Sequence, residues 1–391
     1  MNNDVISEWV HLAYPETVRI AEVYGFSGSQ GMVNLEGIRF MPKQGAGRDS
    51  KTLLIFMHPA TTLQLLPVPR ALAARGAHVL CASSRYAKND TSLILEKVLL
   101  DLGCYIRHAR EVWGYEKVVL AGWSGGGSLA LYYQSQAENP TVTETPAGDP
   151  LDLSQAGLLP ADGVIFHAAH QSRAIMLSEF IDPSVLDESN PDLRDPELDI
   201  YDPRNPNQPP YSADYIQRYR AAQLARMRRR TAWVKQMLAQ LRDIPGEADR
   251  GFITYRTMAD LRFRDPQIDA NDRRPNWCYM GEPSLANTAP AGLGRFSTLR
   301  SWLSQWSLED SNALGVPCAR SITVPLLAIE NSADDAVPQQ DTHLVYEAAG
   351  SRDKTLHIIR DATHYYQGQP ELLTEAVDVT LNWLVQRGMG I

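Results

Sequence analysis

The sequence is short of the features that mark several common protein classes. It has four cysteines in 391 residues, Cys81, Cys104, Cys278 and Cys318, far apart and without a C-x-x-C pair. A disulfide framework needs more of them in a shorter chain, and a structural zinc site needs clustered ligands. Buried free thiols in a reducing compartment are the simpler reading. No apolar run reaches the ~18 residues of a membrane span, and the N-terminal MNNDVISEWVHLAY has no basic segment followed by an apolar one. An excess of positive charge is missing too. With a net charge of −9 and a pI near 5.5, the chain has no general attraction for phosphate backbones or anionic lipid. Neither nucleic acid nor a membrane is therefore an expected partner, and a cytoplasmic location is expected. The 44% hydrophobic and 21% charged residues are those of an ordinary folded protein.

What is present is an alternation. Thr52–Met57 (TLLIFM), Ala77–Ala82, Lys117–Ala121 (KVVLA) and Val164–His167 (VIFH) are short apolar runs, as strands buried on both faces read. Between them lie helical stretches at about 63–75, 93–112 and 126–138. Strands alternating with helices imply βαβ units and a mostly parallel sheet with helices on both faces. Ahead of this, Val18–Tyr24 and Val33–Met41 read as an antiparallel hairpin around a Gly/Ser-rich turn. Ile6, Trp9, Val10 and Ala13 recur at helical spacing and predict a short N-terminal helix.

The alternation stops at about Ser172 and resumes with Thr323–Ile329 (TVPLLAI), a helix near 340–349, a strand at Thr355–Ile359 and a last helix near 371–386. This divides the chain into a core of residues 1–171 and 318–391 and an insertion of residues 172–317. The insertion is expected to be a mostly helical lid after the fourth core parallel strand. Its Asp182–Asp202 segment holds eight acidic residues and one basic one, and Tyr215–Arg242 carries seven arginines and one lysine. The two can pair with each other, or the basic helix can attract an anionic substrate. A calcium loop is excluded: in the register from Asp195, Ile200 takes the glycine position and Pro206 the bidentate glutamate position. His167 and His170, three apart at a strand end, do not have metal-pair spacing, although His170 falls where a substrate could meet it.

Gly122-Trp123-Ser124-Gly125-Gly126 stands directly between the apolar run KVVLA and a helix. A G-x-S-x-G pentapeptide alone is common; in this context it describes a sharp strand-to-helix turn that holds a serine at a helix N-terminus. A serine hydroxyl needs a base, and the base an orienting acid. Of the late histidines, His343 falls in a helical stretch and His357 in a strand, whereas His364 (DATHY) lies in the loop before the last helix. Asp334 and Asp335 both lie in the loop after TVPLLAI, in ENSADDAVP.

Outside the insertion these residues resemble α/β-hydrolases, and ENSADDAVP is similar to that family's acid loop, G-x-x-D-x-x-V-P, with Asn331 at its glycine position. The resemblance implies a Ser124–His364–Asp334 triad, with Asp335 as the neighbour of the acid. It also implies an oxyanion hole from the N–H of Gly125 and a second donor after TLLIFM, where many members read His-Gly. Here the sequence is His58-Pro59-Ala60-Thr61; proline has no N–H, so Ala60 is expected to donate, with His58 bracing the loop. The expected activity is hydrolysis of a carboxylic ester or lactone of a bulky, mostly apolar small molecule, with no metal or organic cofactor. A C–C bond hydrolase, an amidase or a thioesterase on the same residues, and a non-catalytic ligand-binding protein on this fold, are the alternatives. Association as a homodimer is left open.

Overall fold

Apolar runs too short for a helical layer of their own must be covered on two sides, and the computed structural model shows what covers them. It describes residues 4–16, 31–45 and 47–390. In chain order, β1 (Val5–Pro15) and β2 (Met32–Pro42) lead to β3 (Thr52–His58), α1 (Pro67–Ala74), β4 (His78–Ser83) and α2 (Leu95–Glu111). Then come β5 (Lys117–Ser124), α3 (Gly125–Glu138) and β6 (Gly163–Ala169). The insertion contributes α4 (Arg173–Phe180), two ribbons, β7 (Val185–Asp187) with β8 (Asn190–Arg194) and β9 (Gly251–Ile253) with β10 (Phe296–Thr298), and the helices α5 (Ala213–Leu241), α6 (Pro283–Thr288) and α7 (Leu299–Gln305). The chain closes with α8 (Gly315–Ser321), β11 (Leu326–Asn331), α9 (Gln340–Ala348), β12 (Lys354–Ile359) and α10 (Pro370–Val385).

Eight strands make one sheet in the order β1-β2-β4-β3-β5-β6-β11-β12. From β4 to β12 all neighbours are parallel; β2 runs antiparallel to both β1 and β4. Successive side chains leave a strand on opposite faces, so the run of β3 splits. Leu53, Ile55 and Met57 join the core under α2 and α3, and Leu54 and Phe56 join the core under α1 and α10. Each such side chain stabilises the fold by about 1.5–3 kcal/mol through burial.

Two expectations are corrected. The N-terminal segment is not a helix but β1, paired with β2 along its whole length from Val5↔Pro42 to Pro15↔Met32. The helical spacing misled because Ile6 and Trp9 are exposed, while the buried residues include Val10 and Leu12, two apart, as on one face of a strand. The partner of the second hairpin strand is therefore β1; the expected Val18–Tyr24 strand lies outside the described residues.

The insertion is built around one long helix, α5, whose Met227, Val234, Leu238 and Leu241 meet Trp302 and Trp306 in a separate apolar core. Much of the rest has no regular structure and is held by ion pairs. Arg226, fully buried on α5, makes a two-pronged bond to Glu188 at 2.8 and 2.9 Å. Arg256 bonds Asp182 at 2.7 Å and Asp199 at 2.8 Å, and Arg262 pairs with Asp260 and Glu179. The basic helix and the acidic stretch thus neutralise each other in part. The insertion leaves and rejoins the core at a neck, where Gly315 N–H donates to Gln171 O at 2.7 Å. A Cβ on Gly315 would stand 2.4 Å from that oxygen, so only glycine fits there. The boundary expected at 317/318 falls within α8.

Candidate active site

β5 ends in a turn too tight for ordinary residues. Ser124 has φ 55° and ψ −126°, a strained conformation for a side-chain-bearing residue, and α3 starts at the next position. A Cβ on Gly122 would stand 2.4 Å from Gly126 O, and one on Gly126 2.4 Å from Met57 O. The two outer glycines of the pentapeptide are thus required by close backbone approach. Ser124 is left at the carboxyl end of the sheet and at the N-terminus of α3, whose first N–H groups have no intrahelical partner.

The loops after β11 and β12 supply the other two groups. His364 Nδ1 bonds Asp334 Oδ2 at 2.8 Å, with both residues almost fully buried. Asp334 Oδ1 accepts the N–H groups of Ala336 and Val337, each at 2.8 Å. This holds the carboxylate rigidly and puts the imidazole proton on Nδ1, leaving Nε2 as the acceptor. The His364 ring lies against the indole of Trp123, with centroids 4.3 Å apart, so it is adjacent to the turn that carries Ser124. Among the described residues no hydrogen bond joins Ser124 Oγ to His364; such bonds are often long before substrate binds. Asp335 goes elsewhere. Its carbonyl accepts from Tyr279 N–H of the insertion at 3.0 Å, and burial, then the neighbouring Asp334 charge, push its carboxyl pKa up.

Three further histidines surround the site, all neutral by burial. His167 Nε2 bonds Tyr366 Oη at 2.6 Å, and that hydroxyl donates to Asn331 Oδ1 at 2.8 Å, tying β6 beneath the acid loop. Its pKa is lowered to about 4, first by desolvation and then by His364. His170 Nε2 lies 3.3 Å from where a Cβ on Gly125 would stand, and its pKa is lowered to about 3, by desolvation and then by Arg173. His58 is nearer still to Gly125 and holds its own loop: Ala60 N–H donates to His58 Nδ1 at 3.1 Å and Thr61 N–H at 3.2 Å. The bracing expected of His58 is therefore present. The N–H of Ala60, expected to face an oxyanion, points instead at the His58 ring and would have to leave it to serve.

Sequence reading missed Arg173. It is buried in the first turn of α4, its guanidinium paired with Asp90 and stacked 4.3 Å over the Trp306 ring, with Nε unpartnered. Among so many arginines nothing in its sequence context singles it out. A cavity of about 490 Å³ lined by Thr61, Leu63, Leu66, Trp123 and Tyr365 opens beside the turn. A larger one, about 730 Å³, lies within the insertion around Glu188, Arg230, Trp233 and Phe252 and contains none of the groups above. Among the described residues no cluster of metal-ligating side chains is found, and no helix is long and apolar enough to cross a membrane.

No family model matches the chain, and no curated protein matches it. Solved structures do. A DcsB complex with its substrate analogue is 11% identical, with a TM-score of 0.50 over 97% of this chain and 99% of that one. A monoacylglycerol lipase from Paleococcus ferrophilus is 14% identical, with a TM-score of 0.45 over 90% of this chain and 98% of that one. Est1E from Butyrivibrio proteoclasticus is 14% identical, with a TM-score of 0.46 over 90% and 96%. At these identities the likeness is one of fold. The strand order, with β2 the one antiparallel strand, and the strand–turn–helix at Ser124 define that fold: the protein is an α/β-hydrolase in architecture.

Proposed function

We propose that the protein is a serine hydrolase acting on a carboxylic ester or lactone. The observation that carries this reading is the buried Asp334–His364 pair lying against Trp123, one residue before a serine held at φ 55°. Ser124 Oγ attacks the carbonyl carbon while His364 Nε2 takes its proton, and Asp334 stabilises the imidazolium that forms. The Gly125 N–H, at the first position of α3, faces the developing oxyanion. His364 then returns the proton to the leaving alcohol, and water, activated by the same imidazole, releases the acyl group from Ser124. Residues 1–171 and 318–391 act as the catalytic core, and residues 172–317 as the lid that shapes the substrate pocket. The apolar cavity beside Trp123 and Tyr365 favours a bulky, apolar acyl or alcohol group.

A fluorophosphonate probe tests this reading. Wild-type protein should be labelled and Ser124→Ala should not. Absence of label on the wild type, or equal label on the variant, removes Ser124 as the nucleophile. A parallel screen of aryl esters, lactones, amides, thioesters and vinylogous 1,5-diketones identifies the bond cleaved.

A further inference from the structure

A tetrahedral oxyanion at Ser124 calls for two donors, and the backbone offers one. Gly125 N–H is free of intrahelical bonding. Ala60 N–H is spent on His58 Nδ1, and so is that of Thr61. That arrangement determines the ring's chemistry. A nitrogen that accepts two N–H groups carries no proton. Desolvation, and then the positive charge of Arg173, hold the His58 pKa well below its ordinary value, so the ring is neutral with its single proton on Nε2. Nε2 lies 2.6 Å from the point where a Cβ on Gly125 would stand, so it overhangs the residue that follows the nucleophile. Among the described residues it makes no hydrogen bond, so this N–H is left without a protein partner beside Gly125.

We propose that His58 is a catalytic residue whose Nε2–H, together with the Gly125 N–H, binds the oxyanion of the tetrahedral intermediate. The inference rests on the serine-hydrolase reading. His58 keeps its proton throughout; it stabilises the charge that forms on the carbonyl oxygen as Ser124 Oγ bonds to the carbon. A neutral imidazole suits the task, because an imidazolium there would repel His364 at the moment His364 becomes charged. The same ring does two jobs through its two nitrogens. Nδ1 fixes the loop and Nε2 points at the reacting oxygen, which is why a His-Pro sequence can stand where other hydrolases of this fold present backbone N–H groups.

Two substitutions separate those jobs. The amide oxygen of His58→Asn stands where Nδ1 stands and can accept from Ala60 and Thr61 as an Asx turn does, but nothing replaces Nε2. The amide nitrogen of His58→Gln reaches the Nε2 position but leaves the loop unbraced. His58→Asn should slow fluorophosphonate labelling and kcat by about 10²–10³-fold with little change in KM, and His58→Gln should lose less than His58→Asn. Wild-type rates in His58→Asn, or an equal or greater loss in His58→Gln, would overturn the inference and leave His58 as a loop brace. The wild-type protein gives a readout that does not depend on how variants fold. On forming a boronate adduct at Ser124, the His58 Nε2–H proton resonance should move downfield, and an unmoved resonance overturns the inference. If the wild type is not labelled at all, the hydrolase reading itself falls and takes this one with it.

Discussion

From Leu53 to Met57, β3 presents apolar side chains to both sides of the sheet, whereas the insertion buries Arg226, Arg256 and Arg262 among carboxylates. Apolar burial is non-directional. It needs only the right volume on the right face, and the alternation of faces along a strand supplies that. A buried ion pair must recover a desolvation cost of several kcal/mol per ion, so it works only when partners distant in sequence meet in good geometry. The core can therefore be assembled from local pattern. The insertion depends on contacts such as Asp182 with Arg256 and Asn287, which join three separate segments. One of the places where the two regions touch is the acid loop: Asp334 bonds the core's His364, and the Asp335 carbonyl accepts from Tyr279 of the insertion.

That division can be broken most forcefully at these neighbours. Asp334→Asn should lower kcat by about 10⁴, because the imidazole loses the partner that fixes its tautomer, whereas Asp335→Asn should cost less than roughly tenfold. Steady-state kinetics of the two variants side by side decide this, and a larger loss at Asp335 would transfer the acid role to it. Next in size are two changes in stability. Phe166→Ala, a cavity in the sheet, should destabilise by about 3–5 kcal/mol in urea melts, and Asp182→Ala, which takes one of Arg256's two carboxylates and leaves it Asp199 alone, by about 3 kcal/mol. A loss under about 1 kcal/mol at Asp182 would mean that the ion pairs contribute little and that the insertion stands on its apolar core.

The third change lies on the seam. Asp341, on α9, is buried and accepts the backbone and side-chain N–H groups of Gln171, at the point where the insertion begins. Burial, reinforced by Glu179, raises its pKa to about 7, above the ~3.9 of an unfolded chain. A carboxyl raised in the folded state favours folding while protonated, so this contribution is complete below about pH 4 and lost as the pH rises through 7. Asp341→Asn should flatten this part of the pH–stability profile, a span of up to about 4 kcal/mol; an unchanged profile would show that Asp341 ionises as freely as in water. Smallest of all, Arg228→Ala removes an exposed pair with Glu309 and should cost at most about 1 kcal/mol. A larger loss in a urea melt would give the surface of the insertion a structural weight that its buried pairs are here assigned.

The same contrast explains what could be read without coordinates. The runs TLLIFM, KVVLA and VIFH, and Leu326–Ile329 of TVPLLAI, fall in parallel strands of the sheet, because a continuous apolar run bounded by turn residues has few other fates. Ser124 and His364 could be singled out as candidates from their places in the turn and loop between such strands, whereas strand positions left Asp334 and Asp335 open and only the likeness of ENSADDAVP to the acid loop favoured Asp334. The N-terminal segment was misread because Ile6 and Trp9 face solvent from an edge strand, where exposed apolar residues mimic a helical stripe. Nothing local announced Arg173, the irregular web of the insertion, or the turning of Ala60 N–H toward His58. Each depends on a partner's position in space, which no spacing along the chain encodes.

The neck between Gln171 and Gly315 has a consequence for how such a chain diversifies. A segment whose two ends meet at Gln171 and Gly315 is, at that point, a closed loop, and the entropy of closing a loop grows only slowly with its length. Its length can therefore change at little entropic cost wherever it does not also touch the core, as Ser304 does at Glu96 and Asp272 at Ser332.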